Sequence, residues 1–267
     1  MRGARSHGGW RWSVAVKQLW LGLRAWRSFR SSFWLGVFAD MTWLAFSFVF
    51  FGSIYGRVGS IGGWGWSDVV LLIGTAQLIE GAHVGLFESN LRRLSAGVRS
   101  GALDRWLLYP VDTQLLLIFG RVNLRGLLVF FLGLGVVLYA LRAGEHQIGA
   151  ASLVRYGLLV VGGVAVRLAA AFLIETLAFF FVDVAVLRAL QNEFYGYAAY
   201  PQSVYPGWAW KLLFTLLIPV LWMGNVPVAA LREPGQVLPW LVFPPLLLLA
   251  SRLLFAAALR RYQSAGG

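Results

Sequence analysis

The chain has 267 residues, of which 59% are hydrophobic and 13% are charged, and its mean hydropathy is +0.70. A soluble domain carries roughly 25% charged residues, so this composition excludes an ordinary soluble fold and predicts a membrane protein. The net charge of +12 does not indicate nucleic-acid binding, because the basic residues flank apolar segments and form no separate basic domain. With no cysteine, the chain has no disulfide, thiol catalysis or cysteine-based zinc site.

The N-terminal segment, residues 1–32, is predicted to be cytoplasmic and to contain an amphipathic helix in the membrane interface. Apolar residues recur there at spacings of three and four, with polar residues on the opposite face. The apolar positions are Trp12, Val16, Leu19, Leu23 and Trp26. The pattern fits a simple membrane anchor and, equally, a helix that also contacts a cytoplasmic partner.

Residues 33–258 are predicted to form an all-α domain of six transmembrane helices, because about 20 apolar residues are needed to cross the bilayer core. The predicted spans are residues 33–55, 67–89, 121–141, 157–182, 209–230 and 238–258. Pro219 and Pro227 interrupt the fifth span, and residues 225–239 are predicted to form a re-entrant or interfacial hairpin before the last span.

The arginines predict the orientation of these spans. Seven basic residues precede the first span, and more arginines lie between the second and third spans, whereas the loops on the other side hold few. The positive-inside rule therefore places the N-terminus and the tail, residues 259–267, in the cytoplasm. Anionic lipid of the cytoplasmic leaflet is the expected partner of these cations.

The segment from Leu91 to Gln114 is too polar to span the membrane and too apolar to be a simple linker. Apolar residues alternate with arginines, and Gly97, Gly101 and Pro110 divide the segment into short helices. We expect it to lie against the membrane and to present a charged surface to a soluble partner.

Two sequence blocks resemble a known transporter family. In SGALDRWLLYPV, residues 100–111, a Gly is followed by one variable residue, a hydrophobic residue, Asp, two variable residues, Leu-Leu, one residue and Pro. The run YAAYPQSVYPGWAWKLLFTLLIPVLWMGNVPVAAL, residues 197–231, is similar to a C-terminal block with a Tyr-Pro pair, a second Pro and an Ile-Pro inside a span. With the span count, these blocks resemble permease subunits of ABC-2-type bacterial transporters, in particular a branch in which two different permeases act with a separate ATPase.

The resemblance implies a fold like that of ABC-2, or type V, exporters. It also implies a cell-membrane complex of two six-span permeases, identical or homologous, with two ATPase subunits that bind ATP and magnesium. No phosphate-binding G-x-x-x-x-G-K-[ST] motif occurs in this chain, so no cofactor is expected on it. The implied substrate of such an exporter is a lipid, a lipid-linked glycan or a hydrophobic compound, and the family's region corresponding to residues 225–239 gates the outer exit.

The resemblance also implies that the loop between the second and third spans couples to the ATPase. The matching positions are Gly101, Leu103, Asp104, Leu107, Leu108 and Pro110, with Arg92, Arg93, Arg99 and Arg105 as neighbouring ionic contacts. Asp104 has a second interpretation, as the N-cap of a helix that starts near Arg105.

Polar residues inside the predicted spans are costly and are therefore functional candidates. They are Gln77, Glu80, His83, Arg167 and Glu175. Arg167 and Glu175 are too far apart to pair on one helix, so each needs a partner elsewhere. The five residues either line a transport path or hold helices together through interhelical hydrogen bonds. No metal site is predicted, because the Glu80-x-x-His83 pair has no second copy.

Two other classes of function stay open at the level of sequence. A proton-coupled secondary transporter would use Glu80, Arg167 and Glu175 as a relay, although no internal repeat is evident. A membrane-embedded lipid-modifying enzyme would require Glu80, His83 and Glu175 to converge on one cavity.

Overall fold

The computed structural model describes residues 30–144, 149–181, 183–205, 207–232 and 237–262. The predicted amphipathic helix before residue 30 and most of the C-terminal tail lie outside these residues. Within the described part the fold is all-α except for one hairpin of two-residue strands, β1 (Ser60–Ile61) and β2 (Trp64–Gly65). The helices are α1 (Arg30–Tyr55), α2 (Trp66–His83), α3 (Ser89–Ser100), α4 (Leu103–Leu107), α5 (Thr113–Ile118), α6 (Leu124–Ala143), α7 (Ala150–Thr176), α8 (Ala185–Gly196), α9 (Gly207–Leu212), α10 (Asn225–Arg232) and α11 (Val237–Arg261).

Five helical stretches are long and apolar enough to cross a membrane, and they coincide with the first, second, third, fourth and sixth predicted spans. They are Ser31–Tyr55, Trp66–Ser100, Leu124–Ala143, Ala150–Phe179 and Trp240–Arg261. The second stretch joins α2 to α3 through a π-helical turn at Val84–Glu88. It therefore extends well beyond the predicted end at residue 89, and the first part of the predicted coupling loop is a continuation of this helix.

A seam of glycines holds α2 against α6. A Cβ atom on Gly81 would lie 2.2 Å from the backbone nitrogen of Phe130, and one on Gly126 would lie 2.2 Å from that of Gly85. A Cβ atom on Gly133 would lie 2.4 Å from the backbone nitrogen of Leu78. Close backbone contact of this kind is how small residues pack helices in membranes, so the Gly81 and Gly85 pair marks a real helix interface.

The fifth predicted span, residues 209–230, is not a single helix. It consists of α9, a π-helical turn at Leu213–Leu217, a 3₁₀ turn at Val220–Met223 and then α10. Pro219 lies between the π-helical turn and the 3₁₀ turn and ends the helical run there, because it has no backbone N–H to continue the helix. The structure therefore breaks residues 209–230 at Pro219, whereas Pro227, also predicted to interrupt the span, lies inside α10.

Residues 183–203 instead run the length of the α2–α3 helix. At one end, which we call the loop end because residues 101–123 lie there, Arg99 donates to Asp183 at 3.2 Å and Arg188 donates to Ser95 at 3.2 Å. At the other end, the hairpin end, the Ser203 hydroxyl donates to the Ile61 carbonyl at 3.2 Å. The α2–α3 helix is about 50 Å long at 1.5 Å per residue, so the chain passes from the loop end to the hairpin end within these residues.

The following segment, residues 207–224, enters the helical bundle and returns to the hairpin end. Its turn, from Leu216 to Pro219, lines an apolar cavity with Ala170 and Leu190. Its far end is fixed at Asn225, whose side chain accepts from the Gln202 N–H at 2.7 Å and donates to the Tyr200 carbonyl at 3.0 Å. The structure therefore has a re-entrant segment at residues 207–224, earlier than the predicted one, and residues 225–232 form α10.

Candidate functional site

The loop end of the molecule consists of α4, α5 and the residues between them. Gly101 ends α3 with a φ of +71°, a left-handed conformation that glycine adopts without strain. Leu103 is then fully buried against Leu94, Leu117 and neighbouring core residues. The predicted contact from Leu103 to a partner is not available, because this side chain anchors α4 to the bundle.

The residues just after this anchor form an exposed apolar surface, which we call the apolar ridge: Leu107, Leu108, Tyr109, Pro110 and Val111. Leu108 is 84% exposed, and Arg105 beside the ridge is also exposed. An exposed apolar patch next to charged residues is typical of an interaction surface. The structure therefore divides the predicted coupling residues into a buried anchor and an exposed ridge.

Three of the four predicted basic contacts already have partners within the chain. Arg92 forms an ion pair with Glu88, Arg99 pairs with Asp183, and the Arg93 guanidinium lies 5.1 Å from the centre of the Trp106 ring. Arg92 and Arg99 are nevertheless exposed, and exposed pairs of this kind exchange partners at little cost.

Asp104 does not cap a helix, which corrects the second interpretation of this residue. It is the second residue of α4, whose N-cap is Ala102. The cap at the loop end is Asp112, which accepts from the Leu115 N–H at 3.1 Å and pairs with Arg252 of α11. The hydrogen bond from Arg252 lowers the pKa of the Asp112 carboxyl below its ordinary value, so this link between α5 and the last helix is charged at neutral pH.

The first charged pair inside the bundle joins α2 to α7. Arg167 donates from Nε to Glu80 at 3.0 Å and from Nη2 to Asn192 of α8 at 2.9 Å. Its guanidinium also lies 4.2 Å from the centre of the Tyr195 ring. Arg167 is almost fully buried. Glu80 of α2 balances its charge, and Asn192 and Tyr195 of α8 provide further contacts to its guanidinium.

The second charged pair lies closer to the loop end. Arg188 of α8 donates from Nη2 to Glu175 of α7 at 3.0 Å and to Ser95 of α3 at 3.2 Å. As expected from their spacing, Arg167 and Glu175 do not pair with each other, and each has a partner on another helix.

Gln77, Glu80 and His83 share one stripe of α2 but not one environment. Gln77 and Glu80 line a cavity of about 180 Å³, which we call the polar cavity, with Asp40 and Asn192 among its other walls. His83 lies deeper, next to a void of about 10 Å³ beside Arg167 and Glu175. In the described part of the chain, no group of three His, Asp or Glu side chains is arranged to hold a metal.

The requirement for a lipid-modifying enzyme is not met among the described residues. Glu80 lines the polar cavity, whereas His83 and Glu175 line the smaller void. Both carboxylates accept hydrogen bonds from arginines, and no described cavity brings the three side chains together.

The sequence interpretation missed the polar face of α8. Arg188, Gln191, Asn192 and Tyr195 follow one another at spacings of three, one and three, which places them on one helical face. All four contact the interior pairs or line the cavities described above. That periodicity was available as a signal, but residues 183–208 are too polar to be recognised as a span.

Comparison with known protein families matches residues 41–266 to a family described as ABC-2 family transporter protein. The match includes the apolar ridge, the interior ion pairs and the re-entrant segment. No curated protein and no solved structure matches the chain. Proteins of this family are the membrane components of ABC transporters, not their catalytic subunits, and they act with ABC ATPases. The chain therefore belongs to the ABC-2 transporter family, as an integral membrane permease.

Proposed function

We propose that this permease belongs to an ATP-driven exporter of the bacterial plasma membrane. Two copies of a separate ATPase bind ATP and magnesium, and a second six-span permease, identical or homologous, completes the path. The substrate is a lipid, a lipid-linked glycan or a hydrophobic compound, because the described cavities are small or apolar and lie among membrane helices.

The orientation in this proposal follows from the basic residues. Arg92, Arg93, Arg99 and Arg105 all lie at the loop end, and the positive-inside rule assigns that end to the cytoplasm. Six crossings, with residues 183–203 as the fifth, then leave both termini in the cytoplasm. The hairpin end and the mouth of the re-entrant segment face outward.

The apolar ridge is the observation that carries the proposed coupling. Its five residues are exposed at the cytoplasmic end, yet Leu103, a few residues away, is locked into the core. A force applied to the ridge therefore reaches α3 and the α7 core, and through Asp112 and Arg252 it reaches α11. An ATPase that binds the ridge and moves would therefore displace α3, α7 and α11.

Substitutions in the ridge and at Arg105 beside it test this proposal. We expect Leu108→Ser and Arg105→Ala each to reduce the ATPase that co-purifies with the permease by roughly tenfold, as loss of an interface anchor does. The matched controls are Val58→Ser and Arg142→Ala, which change exposed residues at the hairpin end. Pull-down in mild detergent, with quantitative mass spectrometry and an ATPase assay, gives the measurement. Equal recovery of the ATPase with ridge and control variants, at equal permease abundance, would overturn the proposed coupling.

A further inference from the structure

The polar cavity is formed where four separate elements meet. Its walls come from α1, α2, α8 and the 3₁₀ turn at Val220–Met223 of the re-entrant segment, and its volume is about 180 Å³. Pockets for whole drug-sized molecules are typically about 300–1,000 Å³. This cavity is therefore of a size to hold one polar group of a larger substrate.

The α2 side of the cavity has two partly accessible side chains, and both are polar. From Asp68 to Gly85 every residue is buried except Gln77 and Glu80, and both of these line the cavity. A helix that only packed against its neighbours would not need an amide and a carboxylate at its two accessible positions. These side chains are accessible because the cavity lies in front of them.

The charges around the cavity cancel. Glu80 accepts from Arg167 at 3.0 Å, and Asp40 lies 3.2 Å from the Nε atom of Arg125. Two carboxylates are thus balanced by two guanidinium groups, so the set has no net formal charge. Each carboxylate offers about four lone-pair sites, so the arginine contacts leave further acceptor positions on Asp40 and Glu80.

Two aromatic side chains complete the walls. Tyr195 is 6% exposed, and its hydroxyl has no hydrogen-bond partner among the described residues. The hydroxyl is itself buried, so Tyr195 contributes to the wall of the cavity and not to the polar groups that a ligand can reach. Trp43 of α1 is 38% exposed and offers an apolar ring surface.

We propose that the polar cavity binds a neutral polyhydroxyl group, as in the sugar headgroup of a glycolipid; this rests on the proposed function and narrows its substrate class. Sugar hydroxyls donate to the carboxylates of Asp40 and Glu80, while the amides of Gln77 and Asn192 provide both donors and acceptors. The C–H face of a sugar ring packs on an indole such as Trp43. A cationic headgroup is disfavoured by the two arginines behind the carboxylates, and an anionic one by the carboxylates themselves.

Binding to the full-length permease in lipid nanodiscs, with its co-purified partners, tests the proposal without a transport assay. The probes are a photoreactive octyl glucoside, a methyl glucoside competitor and a photoreactive octyl trimethylammonium of equal chain length. We expect saturable labelling by the glucoside probe, with Gln77→Leu and Trp43→Leu each weakening its apparent affinity by roughly tenfold, the effect of one lost contact. Trp34→Leu is the matched control, since Trp34 is an exposed tryptophan of the same helix outside the cavity walls.

Each outcome has a defined meaning. Protection from labelling by methyl glucoside supports a site for the sugar itself, and labelling that requires the alkyl chain supports a lipid headgroup. Stronger binding of the trimethylammonium probe, or equal weakening by all three variants, would overturn the proposal. Size-exclusion profiles identify a variant that fails to fold, and the other cavity variant then decides. Because labelling does not depend on the ATPase, loss of coupling at the apolar ridge and loss of headgroup binding are separate results.

Discussion

Residues 183–203 and residues 207–224 are near neighbours in sequence but follow different paths: the first runs the length of the bundle, and the second enters it and turns back. The first segment contains Asp183, Arg188, Gln191, Asn192 and Glu193, yet it runs the full length of the bundle. The second is far more apolar, yet it turns back at Pro219. Hydropathy alone predicts that the second segment spans the bundle and the first does not. It takes no account of the hydrogen bonds that Arg188 and Asn192 make with α7 and α3.

Partners across the bundle therefore decide which of the two segments runs its full length. Charged groups are expensive inside a membrane unless they are paired, and the polar face of α8 is paired at several points. The apolar segment lacks such constraints, and its proline and the 3₁₀ turn that follows prevent a continuous helix. A crossing is thus specified by tertiary contacts as much as by its own composition.

The largest expected effect is on accessibility, and it tests the crossing itself. The chain has no cysteine, so Ser203→Cys introduces a unique thiol. We expect a membrane-impermeant maleimide to label it in intact cells, as it labels Val58→Cys, while Leu108→Cys reacts only after the cells are opened. Had residues 209–230 formed the fifth span, Ser203 would be cytoplasmic. Protection of Ser203→Cys in intact cells would therefore refute the crossing at residues 183–203.

The next effect is on the stability of the paired interior. Arg167→Met leaves Glu80 without its buried partner, and breaking a buried pair from one side typically costs about 3–5 kcal/mol. We expect a correspondingly large fall in the thermal unfolding temperature of the purified permease. Arg155→Met on the same helix is the control, because Arg155 is less buried and, among the described residues, donates to Ser152 alone. Similar losses for the two variants would mean that the Arg167 network does not hold the crossing segment in place.

A smaller loss of stability is expected from overpacking α2, the helix along which residues 183–203 run. Gly81→Ala places a methyl group against the backbone of Phe130, and overpacking typically costs about 1–3 kcal/mol. Gly135→Ala is the control on α6, since a Cβ atom there meets nothing within 4 Å. Denaturation followed by tryptophan fluorescence should show destabilisation for Gly81→Ala alone. An unchanged denaturation midpoint for Gly81→Ala would show that α2 and α6 can separate enough to accept a methyl group without loss of stability.

Much of the fold is readable from the sequence. Five spans are long apolar runs, and the family blocks at residues 100–111 and 197–231 lie in the part of the chain that the family model matches. The need for partners of Arg167 and Glu175 also follows from their spacing alone. These features can be predicted because each depends on residues close together in the sequence.

The rest depends on contacts between distant segments. Leu103 resembles its exposed neighbours in sequence, but only the packing of α4 on Leu94 and Leu117 shows that it is an anchor. The identity of each partner, such as Glu80 for Arg167 across 87 positions, also requires the folded chain. The polar cavity collects residues from four elements, so no local pattern predicts it.

The apolar ridge is the surface that we propose a separate ATPase engages. The most direct measurement is cysteine cross-linking in native membranes, with Leu108→Cys at the ridge and Val58→Cys at the hairpin end in the otherwise cysteine-free chain. We expect a thiol-to-amine cross-linker to join Leu108→Cys to a nucleotide-binding subunit, identified by mass spectrometry, and to give no such product with Val58→Cys. An intact, membrane-inserted Leu108→Cys permease that forms no adduct with an ATPase would contradict engagement of the ridge by an ATPase.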